Sequence, residues 1–216
     1  MSKVIVLYDG YSKIDGNDEM IANCTCTLIT GLHNIIVDTM TAWDSEKVLV
    51  ALQKHNLVPD DIHYVISTHG HSDHIGNNNL FLKAKHIVGF SISHKDKYFM
   101  FPFDKGEEYI INNTVKVIPT PGHTLCDVTV LVTSTSKEQI AITGDLFEKY
   151  EDIEDSNIWL EAGSENQSQQ FRNRSKIADI ADWIIPGHGP IFKISKESRQ
   201  TLQNQFHENL LRINSI

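Results

Sequence analysis

The sequence predicts an α/β protein whose sheets are covered by helices. Three observations predict it. Short β-branched runs recur along the chain, and segments with helical spacing of apolar residues lie between them. Hydrophobic residues at 40% and charged residues at 22% are globular proportions. At 216 residues the chain can bury one good-sized core and is too short for two comfortable domains. One domain over residues 1–216, ending in a helix, is therefore expected.

The elements follow in order. Val4–Tyr8, Thr25–Thr30 and Asn34–Asp38 are short and β-branched, the pattern of strands. Ser45 reads as a helix N-cap, and Lys47–His55 carries Val48, Leu49 and Leu52 at helical spacing. Pro59-Asp60-Asp61 breaks the chain before a strand at Tyr64–Ser67. Further strands are expected at His86–Phe90, Val115–Ile118, Val128–Thr133 and Gln139–Thr143. The acidic stretch Glu148–Asp155 reads as a solvated loop beside a site. Gln167–Ala181 is a helix bearing Phe171, Ile177 and Ile180, and Trp183–Ile185 is a strand running into Pro186-Gly187-His188-Gly189. From Ser195 to near Arg212 a helix sets Leu202, Phe206 and Leu210 on one face, to pack on its own sheet or on a second copy.

Charge and cysteine content narrow the classes. Nineteen basic against 28 acidic residues give a net charge of −9 with His neutral. Such a surface repels phosphate backbones at long range, although a local groove or a bound cation can invert the sign. The apolar run Val4–Tyr8 is too short for a signal-peptide core, and no later run reaches a membrane span, so a cytoplasmic protein without a membrane is expected. Cys24, Cys26 and Cys126 are odd in number and lack redox or zinc spacing, which suits buried thiols in a reducing compartment. Cys126 follows His123 by three residues, but no second thiol accompanies it.

Histidine is in excess, with 11 residues. The strand at Tyr64–Ser67 runs into Thr68-His69-Gly70-His71-Ser72-Asp73-His74. On an extended backbone residues i and i+2 point the same way, so His69 and His71 can converge on one ion. Asp73 and His74 are adjacent and face apart, within reach of a second ion, and Gly70 keeps the turn permissive. His123, Asp145 and His188 each follow a strand among Gly and Pro, well placed to project into a shared cleft. Five imidazoles and two carboxylates without a thiolate argue against a closed structural zinc site. They suit two divalent ions sharing a carboxylate, with positions left open for hydrolytic chemistry. Imidazole and carboxylate serve Zn, Fe and Mn alike.

The set resembles the metallo-β-lactamase superfamily. The resemblance implies an αββα sandwich of two mixed sheets face to face, with a metal site at one edge. It implies that His69, His71 and His123 hold a first metal, that Asp73, His74 and His188 hold a second, and that Asp145 bridges them. It also implies that Asp38 supports the site from behind, and that zinc is the default metal. True β-lactamases lack a His after the motif Asp. Glutathione thioesterases carry a C-terminal helical domain for which the 28 residues after His188 leave no room. The arm of transfer-RNA-processing relatives and the inserted domain of messenger-RNA-cleaving relatives are not evident, and persulfide dioxygenases bind a single iron. The strings VLYDGYS, THGHSDHIGNNNLF, GDLFE and PGHGPIF, within Val4–Lys193, resemble one animal subfamily. That resemblance implies a dimeric, cytosolic and nuclear, zinc-dependent endoribonuclease acting on RNA, at the 3′ end of replication-dependent histone pre-mRNA. The metals alone leave open a small-molecule ester, thioester or lactone hydrolase, a mononuclear iron oxygenase and a non-catalytic scaffold. His94, Tyr150, Trp159 and Arg172 are candidate substrate contacts, with surface or packing roles the plainer reading.

Overall fold

The short β-branched runs are apolar almost without a break, which demands a partner on each face of a sheet, and the fold supplies both. The structure, a computed structural model, describes residues 1–16, 19–100 and 102–213. The first half contains β1 (Lys3–Tyr8), β2 (Tyr11–Asp15), β3 (Glu19–Asn23), β4 (Cys26–Thr30), β5 (Ile35–Val37), α1 (Ser45–Lys54), β6 (Tyr64–Ser67), the single turn α2 (Ser72–Ile75), β7 (Lys85–Val88), β8 (Ser91–His94) and β9 (Lys97–Tyr98). The second half contains β10 (Tyr109–Asn112), β11 (Val115–Pro119), β12 (Val128–Thr133), β13 (Gln139–Gly144), α3 (Asn157–Ala162), α4 (Gln167–Ile180), β14 (Trp183–Pro186), β15 (Phe192–Lys193) and α5 (Lys196–Ile213).

One sheet has the order β1-β4-β5-β6-β7-β8-β9, and the other runs β10 to β15 in sequence. Both are mixed: β5, β6 and β7 are parallel neighbours, as are β13 and β14, and the remaining pairs are antiparallel. β2 and β3 form a separate hairpin.

The inner faces meet through Ile29, Ile35, Val37, Ile66 and Ile87 of the first sheet and Val117, Val130, Ile142 and Ile185 of the second. The outer face of the first sheet, with Leu28, Ile36 and Val65, buries Val48 and Leu52 of α1. The outer face of the second, with Leu131, Ala141 and Ile184, buries Ile177 and Ala178 of α4 and Leu202 of α5. The layers are helix, sheet, sheet, helix. Each fully buried Val, Leu or Ile contributes roughly 1.5–3 kcal/mol by leaving water. α5 begins beyond Ser195, whose hydroxyl caps the Ser198 amide at 3.0 Å. It lies on α4, where Arg199 donates to the carbonyls of Ala178 and Ala181. Among the described residues no helix is long and apolar enough to cross a membrane.

Several expectations are corrected. α1 starts at Ser45, and its cap position is Asp44, whose carboxylate is engaged by Asn23, Thr41 and Lys47 instead of the helix amides. The strand expected at His86–Phe90 stops at Val88, because Gly89 turns at φ +51°. Of the three thiols, Cys24 and Cys26 are buried and Cys126 is exposed.

The acidic stretch Glu148–Asp155 is not a solvated loop. Glu148 and Asp152 are buried, and Tyr150–Ile153 forms a short 3-10 helix. The cause is Arg174 of α4, itself fully buried. Its guanidinium pairs with Asp152 at 2.6 Å, donates to the Leu146 carbonyl at 2.8 Å, and lies over the Phe147 ring. Asp152 in turn accepts from the Glu148 amide at 2.7 Å. Removing one partner of such a pair strands a buried charge. Arg174→Ala is expected to cost about 3–5 kcal/mol in denaturant unfolding. Lys83→Ala, which breaks the exposed Lys83–Asp60 pair, should leave the midpoint in place. Equal midpoints for both variants would show that Arg174 does not hold this loop.

Candidate metal centre

The candidate residues all lie just past strand ends that meet at one edge of the sandwich. Asp38 follows β5, the segment from His69 to His74 follows β6, the His123 loop follows β11, Asp145 follows β13 and His188 follows β14. Two glycines make the approach possible. Gly144 turns at φ +53° against the Thr68 side chain, and a Cβ on Gly187 would overlap the Asp145 carboxylate.

His69 Nε2 lies 2.9 Å from His71 Nδ1, and His123 Nε2 lies 3.0 Å from the same atom. His71, in extended backbone ahead of α2, is the exposed member of this trio. Asp73 Oδ2 is 3.7 Å from both His74 Nε2 and His188 Nε2. Asp73 and His74 thus turn toward common space instead of facing apart, because Ser72–Ile75 is a helical turn and not extended or looped backbone. Asp145 stands between the two trios. Its Oδ1 is 3.2 Å from His74 Nε2, and its Oδ2 is 3.3, 3.4 and 3.6 Å from the Nε2 atoms of His188, His123 and His69.

The opposite ring nitrogens fix these orientations. His123 Nδ1 donates to the Gly163 carbonyl at 2.8 Å, and His188 Nδ1 donates to the Asn23 carbonyl at 3.1 Å. His74 Nδ1 donates to Asp38 Oδ2 at 3.0 Å. The Thr68 hydroxyl donates to Asp38 and accepts from His69 Nδ1 at 3.2 Å. Asp38 also accepts the Thr68 amide at 2.8 Å and holds a left-handed φ of +56°, which Asp tolerates better than most residues. With Nδ1 spent on donation, Nε2 of these four rings is the nitrogen that faces the cluster and the one that offers its lone pair to a cation on losing its proton.

The donor set fits divalent metal. His74 Nε2 and Asp145 Oδ1 are buried without a hydrogen-bond partner, although they lie 3.2 Å apart. Both aim at shared space. Bond lengths of about 2.0–2.1 Å to zinc would place neighbouring imidazole nitrogens about 3.3 Å apart, close to the spacings here. Charge tells the same story. Burial alone would lift the Asp145 pKa, but His74, His188 and His69 outweigh it and hold the carboxyl well below its ordinary range. Burial and His74 push the His69 imidazole well below its ordinary value. At His188 burial opposes the imidazolium, yet Asp145 prevails and the pKa rises to about 9.

Cys24 approaches Asp38 and His74, but burial keeps its thiol protonated and unsuited to ligation. His94 lines a separate cavity with His33, His63 and Lys85. Trp159 is fully buried on Phe171 and Arg174, and Tyr150 is half exposed against Phe192. Arg172 lines a cavity of about 610 Å³ with Lys176, Asn173 and Pro121, two residues before His123. Gly70 neither turns left-handed nor meets any neighbour, so the motif does not need it for space. Unforeseen in the sequence were Asn23, Gly163 and Glu148. Glu148 is buried with Oε2 4.0 Å from His188 Nε2, and burial and Asp145 push its pKa up to about 8.

An αββα sandwich with five imidazoles and two carboxylates gathered at one sheet edge defines the class of metal-dependent hydrolases. A family model described as the metallo-beta-lactamase superfamily matches residues 21–188. The chain is 39% identical over 202 residues to metallo-beta-lactamase domain-containing protein 1 of Xenopus laevis, covering 93% of this chain and 85% of that one. It is 38% identical over 168 residues to the human protein of the same name, covering 77% of this chain and 62% of that one. A solved metallo-beta-lactamase family protein from Thermus thermophilus superposes with a TM-score of 0.62 at 17% identity, covering 98% of this chain and 81% of that one. The chain belongs to the metallo-beta-lactamase superfamily.

Losing the partner that fixes a ligand's tautomer typically costs 10–100-fold in metal affinity. Asp38→Ala is therefore expected to weaken divalent-ion binding by about that factor while the fold persists. Chelator competition followed by circular dichroism checks both halves.

Proposed function

We propose that this chain is a two-metal phosphodiesterase that cuts RNA. The observation that carries the hydrolytic half is Asp145, within 3.2–3.6 Å of four imidazoles drawn from both trios. In this reading His69, His71 and His123 hold one ion, Asp73, His74 and His188 hold the other, and Asp145 serves both. Zinc is the first choice and Fe or Mn the alternatives. When bound, such a pair supplies an activated water and neutralises charge building on a phosphoryl group.

The chain's own residues preorganise that chemistry. Asp38, Thr68, Asn23 and Gly163 hold four rings with Nε2 turned inward. Gly187 leaves room for the Asp145 carboxylate, and the Asp145 carbonyl accepts from Gln170 Nε2 at 3.1 Å. The ligands therefore need little reorganisation as charge develops.

Two features support RNA as substrate. The subfamily strings point to the ribonuclease acting on histone pre-mRNA 3′ ends, with a homodimer and a cytosolic and nuclear location. Arg172 and Lys176 also supply paired cations in the cavity beside the His123 loop. The competing reading is a small-molecule ester, thioester or lactone hydrolase, which the overall charge of −9 favours.

The test is cleavage of end-labelled single-stranded RNA by the metal-loaded protein. Wild type should cut at defined positions and Asp145→Ala should not. With both metals confirmed bound, an uncut RNA overturns the ribonuclease reading and leaves the small-molecule hydrolase. The Arg172→Ala, Lys176→Ala double variant should raise KM for RNA several-fold while kcat holds. It should also reduce the slope of log affinity against log salt by roughly 1–2, the value for two phosphate contacts.

A further inference from the structure

Three carboxylates, not two, surround His188 Nε2. Asp73, Asp145 and Glu148 place oxygens 3.7, 3.3 and 4.0 Å from it. Glu148 is only 2% exposed. Among the described residues no side chain or amide donates to its carboxylate, and its single ion-pair contact is His188 Nε2, the nitrogen that faces the cluster. Its backbone is fixed from two directions: the amide donates to Asp152, and the carbonyl accepts the His188 amide at 2.8 Å. A buried carboxylate without a donor is costly unless a cation compensates it. Arg174, the nearest buried guanidinium of this loop, is already committed to Asp152 and to the Leu146 carbonyl.

We propose that Glu148 is a further oxygen donor to the ion held by Asp73, His74 and His188. This rests on the two-metal reading given above. One donor atom each from Asp145, Glu148 and His188 fall within 4.8 Å of one another, as do those of Asp73, His74 and His188. The two positions then differ in kind. The first has three imidazoles and a share of Asp145, a set suited to zinc. The second has two imidazoles and three carboxylates, a harder and more crowded set that favours an ion of higher coordination number such as Mn²⁺. The inference explains why the loop after Asp145 is anchored so deeply by Arg174: that anchor holds Glu148 against the centre.

Metal-free wild type and Glu148→Gln are titrated with Zn²⁺ and, separately, with Mn²⁺ by calorimetry, and the metal-free forms are melted alongside. Wild type should take two ions. Glu148→Gln should bind the first with unchanged affinity and the second about 10–100-fold more weakly, with the larger loss for Mn²⁺. Its metal-free melting temperature should equal or exceed that of wild type, because no donor among the described residues holds the Glu148 carboxylate and the amide matches it in shape. Two ions bound with wild-type affinities overturn the proposal, as does a lowered metal-free melting temperature with metal affinity intact, which marks a packing role. Glu148→Asp keeps the charge but shortens the reach, and should also weaken the second ion. Wild type that takes fewer than two ions overturns the dinuclear reading itself, a separate result.

Discussion

The structure turns on one buried carboxylate. Asp145 sits among four imidazoles that reach it from two different sheets: His69 and His74 from the end of β6, His123 from beyond β11, and His188 from beyond β14. Neither sheet contains a complete donor set. The separation of the two halves is fixed by the apolar layer between them, where Val37 and Ile66 meet Val117, Ile142 and Ile185. A close-packed interior of this kind yields little to strain, so the spacing of the site inherits the rigidity of the core.

Rigidity alone does not choose ring orientation. That work falls to groups far away in sequence. The carbonyl holding His188 comes from Asn23 at the end of the outlying hairpin, and the one holding His123 comes from Gly163 after α3. The Asn23 side chain also donates to Asp44 at 2.7 Å, tying the hairpin to the start of α1. The tethers thus spread the centre's dependence over most of the molecule. A lesion in the hairpin or after α3 acts on metal geometry through an imidazole tautomer, without touching a donor atom.

Much of this was legible in the sequence because its signals are local. The strands Tyr64–Ser67 and Val128–Thr133 begin and end where their β-branched runs do. The histidines stand out because they follow such runs among glycine and proline. What stayed hidden is non-local or lacks a pattern. β2 is exposed at four of its five residues, so it shows no alternation of buried and solvent faces. β9 has two residues, too few for any period. Glu148 and Asp152 look solvated in an acidic run, and only the fold brings Arg174, 22 residues beyond Asp152, into their midst. Asn23 and Gly163 act through backbone carbonyls, which no side-chain motif records.

The acidic composition and an anionic substrate are compatible on electrostatic grounds. Among the described residues the exposed side chains number 18 acidic against 14 basic, so less than half of the net charge of −9 is on the surface, and at physiological ionic strength charges more than about 8 Å apart are largely screened. Within the centre the balance is different. In the two-metal reading, two divalent cations would bring four positive charges against the carboxylates of Asp38, Asp73, Asp145 and Glu148, with the imidazoles neutral when they ligate. In a water-poor site the open positions of such ions would attract an anion more strongly than a screened surface field repels it. In that reading the Glu148 carboxylate would cancel one unit of the ions' charge. The charge offered to a substrate would then depend on the second metal position, and on a side chain outside the histidine motif.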